Sequence, residues 1–374
     1  MKKQLCLCMI VKNESHVIKN CLESVADFID YWVISDTGST DGTQDIIKNF
    51  FKERNIPGEL DETKWKNFGY NRTVVLKKAR NKTKYCLIID ADDKLVGKLE
   101  IPKGDFLSFK VHIKHGNLAH YRIHIVKNSL EWEYVGVVHE YINLVGENKN
   151  NLPTGVIQNC HIQASTTGNR SKDSKKFEKD IQLLHQGIQD EPDNDRYYFY
   201  LAQSYKDNND PINAIKYYNI RVNMGRWQEE VYYSLFMIAV CKHRLVTEEQ
   251  NTVEYFEKEL LPHYLYAYNY RKSRLEALHC IVHFYRINKM YKEGYSYGLL
   301  GYENPYPTDI LFIDGEIHTY KFIDEMALCA FYMNNFKLSI ELNLRLLKLN
   351  LPDNYKKRVR ENVNFAIAKY KESE

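Results

Sequence analysis

The sequence lacks the features that define several broad classes of protein. Its 374 residues carry a formal charge of +3 with basic and acidic residues interspersed, so it has no basic block of the kind that binds nucleic acid. No apolar run approaches the length of a membrane span. None of the eight cysteines belongs to a C-x-x-C pair. Cysteines in or beside apolar runs are Cys6, Cys86, Cys160, Cys241, Cys280 and Cys329. We therefore expect buried free thiols in a soluble, cytoplasmic protein, with neither disulfides nor a zinc cage.

The start of the sequence resembles a secretory signal peptide only superficially. The opening Met-Lys-Lys-Gln precedes seven apolar residues, 5–11, but no small-residue cleavage site follows them. The run continues directly into Lys12-Asn13-Glu14, which predicts that it is the first core strand. The Gly-rich, basic loop that a nucleotidyltransferase would carry after this strand is absent too.

The stretch Ile88 to Asp93, I-I-D-A-D-D, is the most informative one present. An apolar run ends in three carboxylates within four positions, as expected for a buried strand that emerges at a sheet edge. Asp90 and Asp92 are two residues apart and share a face if the strand persists. They repel each other unless a hard cation such as Mg²⁺ or Mn²⁺ lies between them. The alternative is an ordinary polar turn in which Asp93 caps the next element.

The order of elements in the first half predicts a mostly parallel α/β sheet. Strands are expected at Leu5 to Val11 and Tyr31 to Ser35, each followed by a polar loop and a helix, with Ser15 as the N-cap of the first helix. Ligands of such sheets bind beyond the carboxyl ends of the strands, where Asp36 and Asp90 would both point. Alternating residues at 106–113 and 121–127 predict a hairpin.

Four motifs in order resemble the family 2 glycosyltransferases of the GT-A fold. They are M-I-V-K-N-E, V-I-S-D-T-G-S-T-D-G-T, W-K-N-F-G-Y-N-R and the I-I-D-A-D-D segment with its D-x-D motif. The resemblance covers roughly the first 165 residues, and it is closest to members with helical repeats behind the catalytic domain. It implies an α/β GT-A domain followed by an all-α, tetratricopeptide-like domain.

The resemblance implies a role for each motif residue at the donor. Backbone at Ile10 to Lys12 and the carboxylate of Asp36 would hold the base and ribose, with Glu14 assisting. Arg72 would reach the diphosphate, for which a guanidinium fork is well suited. Asp92 would bind the metal, Mn²⁺ or Mg²⁺, that neutralises the leaving diphosphate, and Asp90 would reach the ribose or a metal-bound water. For Glu14 and Arg72, a solvated helix start and a surface arginine are the structural alternatives.

The segment Trp132-Glu-Tyr-Val-Gly-Val-Val-His-Glu resembles the family segment near the acceptor. It implies that Glu140 is the general base, with Glu133 as the substitute and with His139 and Trp132 as orienting or acceptor-contacting residues. The alternative for Glu140 is a carboxylate paired with a nearby cation. His161 lies where relatives often complete the metal site with a histidine, but Ile162 and Gln163 follow it in place of the usual aromatic residue and glycine.

The second half has helical periodicity, and the change of pattern predicts the domain boundaries. Residues 166–176 are polar without apolar periodicity, so we expect a GT-A domain at 1–165, a linker at 166–176 and a helical domain at 177–374. Degenerate helical-hairpin units are expected near 200–218, 274–300 and 324–347. Most of the 29 tyrosines should be core, while a minority could line an acceptor groove.

The sequence therefore predicts a metal-dependent, inverting hexosyltransferase. Its donor would be a nucleoside diphosphate sugar, with uridine as the expected base, and its acceptor a glycan, protein or peptide held partly by the helical half. Inversion and a glucose-type sugar are implied by the resemblance alone. The alternative is a catalytically silent sugar-nucleotide-binding scaffold, against which the intact Asp36, Arg72, Asp90 and Asp92 weigh. Homo-oligomerisation stays open, as does a bacterial or viral source.

Overall fold

The computed structural model describes residues 4–115, 118–146 and 153–373. The chain divides into two compact units, Met1–Pro192 and Asp193–Glu374. The division falls after Pro192, whereas the sequence placed a linker at 166–176, so the helix over residues 176–190 belongs to the first unit.

The first unit is built on an eight-stranded mixed sheet. Its strand order is β3-β2-β1-β4-β7-β6-β10-β5, and β8 and β9 form a separate two-stranded sheet. The strands are β1 (Leu5–Val11), β2 (Tyr31–Asp36), β3 (Gly58–Asp61), β4 (Tyr85–Ile88), β5 (Lys94–Gly97), β6 (Ser108–His115), β7 (Leu118–Lys127), β8 (Trp132–Val135), β9 (Tyr141–Leu144) and β10 (Thr154–Gln163). Its helices are α1 (Ile18–Val25), α2 (Thr43–Glu53), α3 (Phe68–Ala79), α4 (Asn169–Lys172) and α5 (Lys176–Asp190).

Strand β1 shows why the centre of the sheet reads as an unbroken apolar run. Leu5, Leu7 and Met9 pack into a core with α1 and α2, while Cys6 and Cys8 face a second core with α3 and β8. Both faces of the strand are buried, so alternation of side chains does not produce alternation of polarity. The eight cysteines are free thiols, and all but Cys280 are buried, as the sequence predicted.

Parallel pairing brings the polar loops to one edge. Strands β1, β2, β3 and β4 are parallel neighbours, so the ends of β1 at Val11, of β2 at Asp36 and of β4 at Ile88 lie on the same side of the sheet. The predicted hairpin is confirmed as β6 and β7, although its tip includes residues 116 and 117, outside the described part of the chain. Strand β5, absent from the sequence interpretation, is an edge strand with only Leu95 buried.

One predicted cap is different in the structure. Helix α1 begins at Ile18, and Ser15 makes no cap for it; the backbone N–H of Ser15 instead donates to Oδ2 of Asp41 at 3.0 Å. Oδ1 of Asp41 accepts from the backbone N–H of Thr43 at 3.1 Å, at the start of α2. Asp41 thus joins the loops after β1 and β2.

The second unit is an array of helical hairpins of the tetratricopeptide-like kind. Its helices are α6 (Asp195–Asp207), α7 (Pro211–Met224), α8 (Gln228–Arg244), α9 (Val253–Tyr255), α10 (Leu261–Tyr270), α11 (Glu276–Ile287), α12 (Tyr291–Gly298), α13 (Phe322–Tyr332), α14 (Phe336–Leu347) and α15 (Asp353–Ser373). The predicted hairpins coincide with the packed pairs α6 with α7, α11 with α12 and α13 with α14. Two π-helical turns, Phe256–Leu260 and Ile317–Lys321, lead into α10 and α13.

The core of this unit combines aromatic rings with buried ion pairs. Tyr232, Tyr264 and Tyr285 are buried in this core, whereas Tyr266, Tyr270, Tyr306 and Tyr332 are exposed. Arg274 is also fully buried and binds Glu276 at 2.7 Å and Asp309 at 3.3 Å. In the part of the chain that the structure describes, no helix has the length and apolar character needed to span a bilayer.

Candidate functional site

A cavity of about 910 Å³ lies at the carboxyl edge of the sheet, within the first unit. Its lining comes from the loops after β1, β2 and β4, from β7, and from the chain that follows β10. Of the predicted site residues, the lining includes Ile10, Lys12, Glu14, Arg72, Asp90 and Asp92. The structure thus assembles the four motif segments around one space, although they are spread over the first 93 residues.

The acidic segment after β4 forms a tight turn at the cavity wall. The backbone N–H of Asp93 donates to the carbonyl of Asp90 at 3.1 Å, which closes the turn and holds three carboxylates together. The side chain of Asp90 is 45% exposed, whereas Asp93 is buried. The predicted turn and the predicted carboxylate pair are therefore one structure.

Arg72, on α3, is shared by two carboxylates. Its Nη2 lies 2.6 Å from Oδ1 of Asp90, and its Nε lies 2.8 Å from Oε1 of Glu140. Burial opposes ionisation of Asp90, but the guanidinium of Arg72 outweighs it and lowers the pKa of Asp90 below its ordinary value. Burial likewise acts to lower the pKa of Arg72, and the two carboxylates raise it. The guanidinium that the resemblance assigned to the diphosphate is thus engaged by protein carboxylates.

Asp92 and Asp93 have the opposite electrostatic character. Burial raises the pKa of Asp92, and the charge of Asp90 raises it further. Burial and the charge of Asp90 also raise the pKa of Asp93, to about 7. Crowded carboxylates with raised pKa values are stabilised by a cation, because a bound ion offsets both the desolvation and the repulsion.

The chain that follows β10 donates backbone hydrogen bonds to these acids. The N–H of Ser165 binds Asp93 at 3.0 Å, and the N–H of Gly168 binds Oδ2 of Asp92 at 3.0 Å. The N–H of Asn169 lies 3.2 Å from both carboxylate oxygens of Glu14. We call residues 165–169 the closing segment, because its backbone connects the end of β10 to acids in the loops after β1 and β4.

The acids fit a hard divalent ion that takes only one or two of its ligands from the protein. Carboxylate oxygens suit Mg²⁺ and Mn²⁺. Over residues 4–115, 118–146 and 153–373, however, no group of three His, Cys, Asp or Glu side chains is arranged to hold a metal. Mg²⁺ is commonly held by one or two carboxylates, with water and substrate phosphates completing its shell, and Asp92 with its neighbours fits that pattern.

Asp36 is buried beside the cavity. Its Oδ1 accepts from the backbone N–H groups of Gly38 at 2.8 Å and Ser39 at 2.7 Å. Its Oδ2 is buried without a hydrogen-bond partner among the described residues. The neighbouring Thr37 lines the cavity. A fixed carboxylate with an unused oxygen is a ready acceptor for a ligand N–H or hydroxyl.

Several predicted residues lie outside the cavity lining. Glu140 and Glu133 are not part of it, and Glu140 is instead paired with Arg72. Trp132 is core, 3% exposed, and its indole N–H donates to the carbonyl of Lys127 at 2.9 Å. His139 is exposed, with a left-handed φ of 51°.

His161 also lies away from the lining. It sits on β10 with His112 and Val96 as its strand neighbours. Its neighbours Cys160 and Ile162 face the core, so alternation places His161 on the other face of the strand. In this part of the chain the cavity lining begins at Ala164, beyond the strand end.

Two groups of lining residues were missed by the sequence analysis. Strand β7 contributes His120, Arg122 and His124 at alternate positions, a period-2 pattern that was visible in the sequence. The face of α5 contributes Lys176, Lys179, Gln182, Leu183 and Gln186. Helix α5 was assigned to the helical half because its periodicity resembles that of the following helices.

Cations also line the cavity. Arg170 lies with its guanidinium carbon 4.2 Å from the centre of the Phe68 ring and binds Asp180 at 2.7 and 2.9 Å. Lys12, Lys176 and Lys179 are further lining cations, and Lys179 is paired with Asp173, which also lines the cavity. Lys172 does not line the cavity. A lining that holds both acids and cations suits a ligand that carries both a metal ion and phosphates.

Comparison with known proteins finds a family match in the first quarter of the chain. Residues 6–99 match the family model described as Glycosyl transferase family 2. The SPbeta prophage-derived glycosyltransferase SunS of Bacillus subtilis strain 168 is 43% identical over 86 residues, which cover 23% of this chain and 19% of that protein. A TPR repeat-containing protein of Synechococcus elongatus is 33% identical over 94 residues, 25% of this chain and 21% of that protein. These matches span about a fifth of the length of either relative.

Solved structures give weaker similarity. The crystal structure of S. aureus TarS has a TM-score of 0.33 at 15% identity and covers 65% of this chain and 53% of that chain. That of YrrB, described as a TPR protein with an unusual peptide-binding site, has a TM-score of 0.34 at 12% identity and covers 50% of this chain and 84% of that chain. Scores this low carry no information about the site.

Proposed function

We propose that this chain, whose residues 6–99 form a family 2 glycosyltransferase domain, transfers a hexose from a nucleoside diphosphate sugar to a glycan or protein acceptor. The observation that carries the proposal is the turn of Asp90, Asp92 and Asp93, which lines the same cavity as Lys12 and Lys176. Arg72 offsets the charge of Asp90, whereas Asp92 and Asp93 are left with raised pKa values that a bound cation would offset, and a silent binding domain has no physical need for such acids.

The nucleoside would lie against the ends of β1 and β2. Backbone at Ile10 and Lys12 lines this part of the cavity, and the unused Oδ2 of Asp36 is buried beside it. We assign the base and ribose to this region and take uridine as the expected base. Glu14 is placed to assist, although its carboxylate is engaged by the backbone of Asn169.

Asp92, with Asp90 and Asp93 around it, would hold Mn²⁺ or Mg²⁺. The ion would neutralise the negative charge that develops on the leaving diphosphate. Lys12 and Lys176 line the cavity and supply further positive charge for the phosphates. We leave His161 out of the proposed metal site because it is not among the lining residues.

Glu140 is the proposed general base on the strength of the family resemblance and of its contact with the lining residue Arg72, although Glu140 does not itself line the cavity. It would take the proton of the acceptor nucleophile as the new bond to the anomeric carbon forms and the bond from that carbon to the diphosphate oxygen breaks, with inversion. Arg72 would position Glu140 and Asp90 with respect to each other, since its Nε and Nη2 contact one carboxylate each. The helical unit would hold part of the acceptor.

The test is donor binding by calorimetry and donor hydrolysis across a panel of nucleoside diphosphate sugars, with Mn²⁺, Mg²⁺ or EDTA. We expect one donor to bind in a metal-dependent way, and Asp92→Asn to abolish the dependence. Asp105→Asn is the matched control, because the side chain of Asp105 is 97% exposed and does not line the cavity. Absence of binding to every donor would overturn the proposal, and donor binding that Asp92→Asn leaves unchanged in the presence of metal would favour the scaffold function. Proton NMR of the product would test inversion, and a retained anomer would refute it.

A further inference from the structure

His124, on β7, has an unused buried nitrogen at the cavity wall. The residue is 8% exposed and belongs to the cavity lining. Its Nδ1 lies 2.7 Å from the carbonyl oxygen of Ile88, the last residue of β4. Its Nε2 is buried and has no hydrogen-bond partner among the described residues.

The contact with Ile88 fixes which nitrogen carries the proton. A carbonyl oxygen can only accept, so Nδ1 must donate, and the neutral ring then presents Nε2 as a bare acceptor. The neutral form is favoured here because burial lowers the pKa of His124 to about 4. A buried acceptor without a donor costs free energy, which a ligand that supplies an N–H or O–H recovers.

The surroundings indicate which ligand group would supply that hydrogen. Arg122 and Arg72 are the nearby cations, and both are engaged with Glu140, Arg122 through a bond of 3.2 Å to its backbone carbonyl. Asp90, the nearby acid, is an acceptor when ionised. Asp90 already accepts from Arg72 at 2.6 Å, so Nε2 of His124 is an acceptor on this wall whose donor has to arrive with the ligand. Hydroxyl groups are the donors that a nucleoside diphosphate sugar carries in number.

We propose that His124 is a binding residue for the sugar nucleotide, with Nε2 accepting a hydrogen bond from a ligand hydroxyl and the Ile88 carbonyl holding the ring in the required tautomer. The hydroxyl belongs either to the ribose or to the transferred sugar. This inference rests on the proposed donor site and adds a contact from β7, beyond the loops after β1, β2 and β4.

Two substitutions test the two ring nitrogens of His124 separately. His124→Asn places an amide N–H near the position of Nδ1, so it keeps the bond to Ile88 and loses the acceptor. His124→Gln reaches the position of Nε2 and restores an amide oxygen there. Binding is measured by calorimetry with the nucleoside diphosphate sugar that the wild-type protein binds most tightly, and with the corresponding nucleoside diphosphate.

We expect His124→Asn to weaken binding about tenfold while its thermal unfolding midpoint stays near that of the wild type, and His124→Gln to recover most of the affinity. If His124→Asn loses affinity for both ligands, the hydroxyl belongs to the ribose. If it loses affinity for the nucleoside diphosphate sugar alone, the hydroxyl belongs to the transferred sugar.

Two outcomes overturn the inference, and they are distinguishable. Equal affinities of wild type and His124→Asn for both ligands would overturn it alone and leave the donor site intact. Absence of binding by the wild-type protein would overturn the proposed function and this contact with it. If His124→Asn fails to fold, His124→Gln decides: tight binding supports the acceptor role, and loss of binding in a folded protein contradicts it.

Discussion

The guanidinium of Arg72 lies 2.6 Å from the carboxylate of Asp90, on the loop after β4, and through its Nε it also holds Glu140, just before β9. The sequence assigned these residues three separate roles, as phosphate ligand, ribose ligand and base. The structure joins them through one cation, which contacts both acids and lowers the pKa of Asp90.

Replacement of Arg72 should therefore disturb both acids at once. In Arg72→Ala we expect the pKa of Asp90 to rise, because Arg72 is the group that lowers it, and turnover to fall on the order of 100-fold. The turnover of Arg72→Lys should lie between those of Arg72→Ala and the wild type, because one ammonium group cannot bridge two carboxylates as a planar guanidinium does. Steady-state kinetics with thermal unfolding would check both variants. Wild-type turnover in folded Arg72→Ala would contradict the shared role.

Glu140 and Glu133 give a matched pair for the base. Glu140→Gln should lower kcat by about 10² to 10⁴ while donor affinity changes little, because the base acts on the acceptor. Glu133→Gln should leave kcat near the wild-type value. A loss of kcat in Glu133→Gln with kcat unchanged in Glu140→Gln would assign the base to Glu133, the substitute that the sequence suggested.

The sequence was sufficient for the strands β1, β2 and β4 and for the acidic turn. Leu5 to Val11 and the end of β4 are contiguous apolar runs followed by polar residues, a local signal that needs no tertiary information. The hairpin of β6 and β7 was recognisable for the same reason, since each strand alternates along its own length.

The rest of the site depends on pairing between distant segments. His124 reaches the cavity because β7 pairs with β4, a register that no local pattern encodes. Helix α5 has the period of a repeat helix, yet it belongs to the first unit and lines its cavity. The role of His161 was taken from a family position, and strand alternation then placed its side chain away from the cavity-lining residues.

Gly168 provides a steric test of the metal site. A Cβ at this position would lie 2.7 Å from Oδ2 of Asp92, so Gly168→Ala should displace that carboxylate. We expect metal affinity to fall about 10- to 100-fold, because the displaced carboxylate no longer lies where it would bind the ion. Gly315→Ala is the control, since its nearest atom would be the Tyr306 hydroxyl at 3.3 Å. Metal titration followed by donor binding measures the change, and unaltered affinity in Gly168→Ala would argue against Asp92 as the ligand.

Glu276 should make the helical unit sensitive to acid. Burial acts to raise its pKa, but His318 and Arg274 outweigh burial and lower the pKa from 4.5 to about 2. Because the folded value is the lower one, the contribution of Glu276 to stability is complete above pH 4.5 and is lost as the pH falls towards 2.

Glu276→Gln should consequently cost about 3 to 5 kcal/mol at pH 7, because it leaves buried Arg274 without its main partner. The difference from the wild type should shrink as the pH is lowered below 4.5. Urea unfolding from pH 7 downwards would measure it, with exposed Glu303→Gln as the control. A difference that is independent of pH would show that the ionisation of Glu276 does not contribute.

The closing segment has a consequence for how the site responds to ligands. Its backbone N–H groups at Ser165, Gly168 and Asn169 are bonded to Asp93, Asp92 and Glu14, the acids to which we assign the metal and the donor. Ligand and segment are therefore competitors for one set of acceptors. Occupation of the site releases these amides, so their hydrogen exchange should accelerate on binding, in contrast to the slowing that ligands usually impose on the residues around them.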